Sequence, residues 1–269
     1  MYSSTANMIP KKIHYFWFSN DPFPENIRHC IDSWEKVMPD FEIIQWDLSN
    51  TPMDCDFAHK AMREQQWAFL SDYARLRILY DHGGVYLDTD MLAIKSLGDL
   101  LNIQAFWGRA NNGMVEPVVI GAVKNHPTVK ACLDIYLNKS DSQYLEIPLE
   151  IQPVFRALGF DQANKSTQRL DSNVIYSYDY FCPMPFEQAD TRDPMSFRTE
   201  NTYAIHLWNA AWFDPFRFFW NGRPKKGWQA VWKTVLKNPF QGWTFYRSVL
   251  FHLRRCLRFK LSKQKNGYL

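Results

Sequence analysis

Apolar residues along the N-terminal half fall into short continuous runs and longer blocks with a three-and-four spacing. Lys12 to Phe18 reads KIHYFWF, a β-branched and aromatic run bounded by Pro10 and the turn-rich SNDPFP. Such a run predicts a buried first strand. Ile27, Cys30, Ile31 and Trp34 then recur at helical spacing, which predicts a helix over Pro24 to Val37. Phe41 to Trp46, FEIIQW, predicts a second strand. The order strand, helix, strand predicts an α/β fold built on a mostly parallel sheet.

The strongest helical pattern runs from Glu64 to His82, with Trp67, Leu70, Tyr73, Leu76 or Ile78, and Tyr80 among its apolar positions. Gly83 stands where a left-handed residue ends a helix, and Gly84 eases the turn into the next strand. That strand is expected over Val85 to Leu92. Alternation would put Tyr86, Asp88 and Asp90 on one side and Leu87 on the other. Farther on, the pattern predicts a strand over Val115 to Val123 and a helix over His126 to Asn138 begun by Pro127. Pro148 to Leu158 reads as a loop running into a short helix. Near the end, Tyr246, Val249, Leu250, Leu253, Leu257 and Leu261 share one face of a helix over Trp243 to Leu261. Arg247, Arg254, Arg255 and Arg258 lie largely off that face, the pattern of a basic amphipathic helix.

Composition sharpens this division. The 269 residues carry a net charge of +3, but 215–269 hold thirteen Lys or Arg and no Asp or Glu, which leaves 3 − 13 = −10 for 1–214. Two parts are therefore expected: a catalytic-sized α/β domain over 1–214, and a basic, aromatic-rich helical tail over 215–269 whose partners are anionic. An anionic membrane surface is the expected partner. Cations interleaved with aromatics also suit nucleic acid, but no nucleic-acid motif accompanies them, so no nucleic-acid partner is expected. The five cysteines are odd in number and contain no CxxC pair, which fits a reduced compartment better than a disulfide framework or a cysteine zinc site. Neither a secretory signal nor an uninterrupted apolar stretch of membrane-spanning length is evident. The expected location is cytoplasmic, peripheral on the cytoplasmic face of the membrane.

Candidate chemistry centres on GGVYLDTDML, where Asp88 and Asp90 follow an apolar run. Two carboxylates two residues apart repel, so both ionise comfortably only beside a cation. Mg²⁺ or Mn²⁺ would supply it, prefers oxygen ligands, and commonly completes its shell with substrate phosphates. Alone, a DxD triplet equally describes two solvated aspartates in a turn. Its place at a strand end, where α/β folds bind ligands, favours the metal platform. Asp72 and Arg75, at i and i+3, could bind sugar hydroxyls and phosphate oxygens or form an ordinary intrahelical ion pair.

SDYARLRILYDHGGVYLDTDM resembles the DXD segment of the family 32 glycosyltransferases and the corresponding segment of the large clostridial toxin glucosyltransferases. IPKKIHYFWF, SWEKVMPDFEIIQW and AIHLWNAAW are similar to further motifs of the family, so the resemblance covers about residues 9–214. It implies a GT-A fold, a nucleotide-sugar donor, UDP-sugar first, and Mn²⁺ or Mg²⁺ under the diphosphate. Carried over, Asp88 and Asp90 engage metal, ribose and diphosphate, Asp72 and Arg75 hold the donor sugar, and Trp17 and Tyr86 line the base site. His206, in the closing motif with Trp208 and Trp212, is a candidate for metal or diphosphate, with Trp208 on the phosphate side. A histidine on an apolar strand is also often a plain core residue. Asn111 and Asn112 follow the DXD strand and either reach sugar hydroxyls or serve as turn residues. The resemblance implies retention of anomeric configuration. Glu150 and Gln152 are the candidates for that step, although EIQP stands where the family commonly has a small-Gly-Pro element.

The expected activity is transfer of a hexose, galactose or glucose, to a lipid-linked or oligosaccharide acceptor in bacterial surface polysaccharide synthesis. Two alternatives remain. LDTDML superficially matches the haloacid dehalogenase phosphohydrolase motif, but Leu92 stands where Thr or Val is wanted and no later Asp-Asp pair follows. A non-catalytic carbohydrate- or membrane-binding module would not need intact donor and metal motifs.

Overall fold

The computed structural model describes residues 8–19, 21–139, 143–189, 191, 193–209, 219, 224–237, 239, 240, 242, 243 and 245–254. The chain forms two compact units, Met1–Asn209 and Ala210–Leu269.

In the first unit, β1 (Lys12–Phe16), α1 (Glu25–Val37) and β2 (Glu42–Trp46) form the expected parallel pair with its crossover helix. α1 buries Ile27, Cys30, Ile31 and Trp34, the four positions its spacing singles out. Each large apolar side chain so buried contributes about 1.5–3 kcal/mol. α2 (Asp56–Arg63), which the sequence reading does not include, precedes α3 (Trp67–His82). β3 (Gly84–Leu87) and β4 (Met91–Ala93) follow, then β5 (Ala105–Arg109) and β6 (Val115–Ala122). α4 (Pro127–Leu137) has His126 as its N-cap, accepting from Thr128 N, and Pro127 in its first turn. α5 (Ile147–Ala157), β7 (Gln168–Leu170), β8 (Asn173–Ile175) and β9 (Ala204–His206) complete the unit.

The main sheet has the order β2-β1-β3-β6-β5-β8-β7. β2, β1, β3, β5 and β8 run one way; β6 and β7 are reversed. The sheet is thus mostly parallel and flanked by helices, as expected for a GT-A fold. Successive residues of β3 serve opposite layers: Val85 and Leu87 join the core on the α1 side, Tyr86 the core containing α2–α5 residues.

Three local expectations are corrected. The strand predicted over Val85 to Leu92 is two strands in two sheets. Asp88 N still donates to Val118 O at 2.9 Å, but its own carbonyl accepts from Met91 N at 3.1 Å, closing a turn through Thr89 and Asp90. β4 then pairs antiparallel with β9, held also by Trp34 Nε1 donating to Met91 O at 2.6 Å. Second, the segment around Glu150 and Gln152 is helical from Ile147 onward, because Pro148 falls in the first turn, where its missing N–H costs nothing. Third, Gly83 takes φ 64° with ψ −174°, so it leaves the helix directly into extended backbone rather than through a left-handed helical turn. A Cβ there would lie 2.7 Å from Lys124 N, and one on Gly84 (φ 109°) 2.8 Å from His14 Nε2. Only glycines allow α3 and β3 to join this closely.

In the second unit, α6 (Pro224–Lys237) is followed by helical residues 245–254. The Phe219 ring packs on Trp228 and stacks on His252 at 4.6 Å. The expected helix is thus seen as far as Arg254. Its continuation through Arg255, Leu257, Arg258 and Leu261, together with Cys256 and Trp212, lies outside the described residues. Among the described residues no helix is long and apolar enough to cross a membrane. Cys30, Cys55, Cys132 and Cys182 are free and buried.

Candidate active site

The middle of α3 is buried on all sides, so its polar residues must find partners inside the protein. Arg75, 5% exposed, is the hub. Its Nη2 lies 2.8 Å from Asp72 Oδ1 and 3.0 Å from Ser71 Oγ, and its Nε donates to Ser71 O. Nη1 donates to Pro117 O at 3.0 Å and lies 3.3 Å from Asp88 Oδ1. The guanidinium sits 4.5 Å over the Tyr86 ring, whose hydroxyl donates to Asp88 Oδ1. One cation on α3 therefore holds the first carboxylate of the DXD triplet from below while Tyr86 holds it from β3. Asp72 and Arg75 form the intrahelical ion pair, and through Arg75 that pair reaches Asp88.

The second carboxylate is held from another direction. β4–β9 pairing sets Met91 opposite His206, and His206 Nε2 comes to 3.3 Å from Asp90 Oδ1. Asp90 Oδ2 accepts from Asn209 N at 2.6 Å. The backbone of β9 thus carries His206, some 115 positions along the chain, into a site nucleated by β3. The Trp208 ring lies 4.0 Å from that of His206, and its Nε1 donates to Met184 O at 2.7 Å, on a backbone with φ 52°.

Charge is unevenly distributed in this cluster. Burial pushes the Asp88 carboxyl above the usual carboxylate range, against Arg75, and the Asp90 charge adds to the rise. Asp90 is held below that range despite burial, because His206 lies beside it. His206 is in turn raised well above the ordinary histidine value, its burial outweighed by Asp90. Burial raises Asp72 to about 7 in spite of Arg75. A metal ion bound here would take the place of the His206 proton, which the ring must lose before it can act as a ligand. One ligand atom from each of Asp88, Asp90 and His206 can be chosen so that all lie within 4.8 Å of one another. Among the described residues His206 Nδ1 is buried without an oxygen or nitrogen partner, with the Cys182 thiol beside the ring. Two carboxylates suit Mg²⁺ or Mn²⁺, and the imidazole shifts the preference toward a transition ion such as Mn²⁺. The residues present fit the expected divalent metal.

The remaining candidates divide. Glu150 forms a buried ion pair with Lys139 and lies close enough to Asp72 to raise it. Gln152 is buried, and its Nε2 donates to Pro148 O at 2.9 Å and reaches Val115 O at 3.4 Å. Trp17 follows β1, with its Nε1 donating to Asp21 O at 2.8 Å and its ring against Phe23. Asn112 is an exposed turn residue whose Oδ1 accepts from Met114 N, and Asn111 beside it is exposed too. Among the described residues neither bonds to the acidic cluster, which matches their turn reading.

The structure adds Glu116, which the sequence reading does not single out. It lies on β6, among His206, Asp88, Arg75 and Asp72, and burial raises its carboxyl to about 7. A lone carboxylate inside the apolar strand VEPVVIGA was the available signal. Cys182 is a second addition, its thiol acting on the His206 ring.

Residues 24–107 match the family described as the glycosyltransferase sugar-binding region containing DXD motif. An uncharacterized glycosyltransferase of Acanthamoeba polyphaga mimivirus is 29% identical over 148 residues, 50% of this chain and 59% of that protein. Inositol phosphoceramide mannosyltransferase 3 of Schizosaccharomyces pombe is 29% identical over 136 residues, covering 47% and 37%. The mannosyl phosphorylinositol ceramide synthase CSH1 of Saccharomyces cerevisiae is 30% identical over 186 residues, covering 65% and 48%. The chain spans about half the length of these relatives. The matched segment runs from α1 through α3, Asp88 and Asp90 to β5, so in this part the chain is similar to the sugar-binding region of DXD-containing glycosyltransferases.

Proposed function

We propose that the chain is a metal-dependent, retaining glycosyltransferase. It moves a hexose, galactose or glucose, from a UDP-sugar to a lipid-linked or oligosaccharide acceptor. The observation that carries this reading is the convergence of Asp88, Asp90 and His206 beside the Arg75 hub. Mn²⁺ or Mg²⁺ bound by these three would offset the charge that develops on the departing diphosphate.

The chain's own residues do the rest. Arg75 and Tyr86 fix Asp88, and Asn209 N and His206 fix Asp90, so the acidic pair is preorganised and loses little side-chain freedom on loading. Asp72 accepts from donor-sugar hydroxyls, Trp17 offers an indole face to the uracil, and Trp208 borders the phosphates. In the transfer, the bond from the anomeric carbon to the diphosphate oxygen breaks and its electron pair leaves with the UDP. The acceptor hydroxyl oxygen bonds to the same face of that carbon and gives its proton to the leaving phosphate. Gln152 or Glu150 steadies the positive charge on the sugar.

A lipid-linked acceptor is supported by the names of two relatives, which act on ceramide lipids. It is supported again by the second unit, where Trp232 (64% exposed), Leu236 (80%), Phe240 (92%) and Trp243 (76%) stand among thirteen cations. Exposed aromatics among cations suit an anionic bilayer surface. The reading places the enzyme on the cytoplasmic face of a membrane, in bacterial surface polysaccharide assembly. A panel of UDP- and GDP-sugars assayed for Mn²⁺-dependent hydrolysis tests it, with Asp90→Ala expected to abolish turnover while circular dichroism stays unchanged. Turnover that survives chelation, or survives in Asp90→Ala, removes the metal platform.

A further inference from the structure

A cavity of about 290 Å³ lies at the end of β5, at the lower end of the sizes that hold small ligands. Its lining connects to the acidic cluster through the residues beside it in the chain. Pro183 and Pro185 line it, and Met184 between them accepts the Trp208 indole N–H, while Cys182, just before, acts on His206. On the other side Arg109 lines it, paired in the sheet with Val115, the residue before Glu116. The segment 182–185 thus touches the acidic cluster through Cys182 and Met184 and lines the cavity through Pro183 and Pro185.

The lining has a definite chemistry. Among the described residues it contains two cations, Arg109 and Lys165, and no carboxylate. Arg109 is 3% exposed, and its guanidinium donates to the carbonyls of Gln162 and Asn164. Its charge is thus fixed in position by neutral dipoles. Asp161 is the carboxylate that acts on it, without forming an ion pair among the described residues. Tyr178 and Phe197 are its aromatic lining residues. Ring faces pack against the C–H faces of sugars, and fixed cations bind carboxylate or phosphate.

Resting on the glycosyltransferase reading, we propose that this cavity is the acceptor subsite and takes a saccharide bearing a negatively charged group. The charge comes either from an acidic sugar or from a sugar phosphate. An acceptor held here by its charged group presents a hydroxyl toward Asp88, Asp90 and His206.

Saturation-transfer NMR on the full chain with methyl β-glucuronide, glucose 1-phosphate and methyl β-glucoside tests the proposal. At least one anionic probe is expected to bind roughly tenfold tighter than the neutral one, as one near-surface charge interaction allows. Which of the two prevails identifies the source of the charge. Lys165→Glu is expected to remove that preference, and Tyr178→Ala to weaken all three probes, with unfolding temperatures confirming that both variants fold. Equal binding of neutral and anionic probes, no binding of either anionic probe, or a preference that survives Lys165→Glu overturns the proposal. Hydrolysis of UDP-sugars by the unaltered protein is measured separately. Its absence would overturn the glycosyltransferase reading, whereas a lost anionic preference alone overturns only the cavity's assignment.

Discussion

His14 offers a test of how the site is anchored, through the pH dependence of folding. It lies on β1, 1% exposed, with Nε2 donating to Gly83 O at 2.9 Å and Nδ1 accepting from Trp46 Nε1 at 3.1 Å. This neutral tautomer ties β1 and β2 to the corner from which the chain runs to Asp88. A proton on Nδ1 would face the indole N–H. Burial lowers the His14 pKa from 6.5 to about 4. Below pH 6.5 the unfolded chain takes up a proton that the folded one refuses, so stability falls as pH drops and the loss ends near pH 4. The window is 6.5 − 4 = 2.5 pH units, and at about 1.4 kcal/mol per unit the loss is about 3–4 kcal/mol. The perturbation is His14→Gln, whose amide keeps a donor near Gly83 and carries no titrating group. Urea unfolding at stepped pH from 7.5 to about 4 should show the wild-type midpoint falling more steeply than the variant's. NMR titration should place the wild-type His14 well below the ordinary histidine value, with Trp46→Phe moving it upward. Parallel pH profiles for wild type and His14→Gln, or a near-normal His14 titration, would refute the reasoning.

Three further outcomes follow from the same contacts. Arg75→Met strands Asp72 and Asp88 without their buried counterion and should cost about 3–5 kcal/mol at neutral pH; denaturant midpoints at pH 7.5 and pH 5 should show a smaller loss at the lower pH, where Asp72 takes a proton. Glu116→Gln, in chelator, should raise stability by about 1–3 kcal/mol at pH 8 and change it little at pH 4, because a carboxyl raised to about 7 loses stability as pH climbs from its unfolded value through 7. A fall in the Glu116→Gln midpoint at pH 8 would count against that placement. Gly121→Ala would set a Cβ 2.0 Å from the Phe106 ring, which is fully buried, and should lower stability by about 1–3 kcal/mol in a thermal melt.

Much of the sheet was legible because a strand or helix that buries one face writes its period into its own residues. β1, α1, β2, α3, β6 and α4 all fall where their apolar spacing puts them. The DXD triplet, Asp72 and Arg75 were legible for a related reason, since polar residues inside apolar blocks must have partners. The sequence also carried the charge division, because net charge is additive and needs no coordinates. What only the tertiary structure decided is where separate segments meet. β9 is three residues long, too short to show a period, and it reaches β4 through backbone hydrogen bonds that any side chains could accompany. That pairing alone sets His206 against Asp90. The break after Leu87 was hidden because an apolar residue follows Asp90 as it precedes Asp88, so one strand and two read alike. Glu116 gained its place from burial by neighbours on other elements, and the elevated proton affinity of a carboxylate is a property of that surrounding dielectric, which no residue of VEPVVIGA encodes by itself.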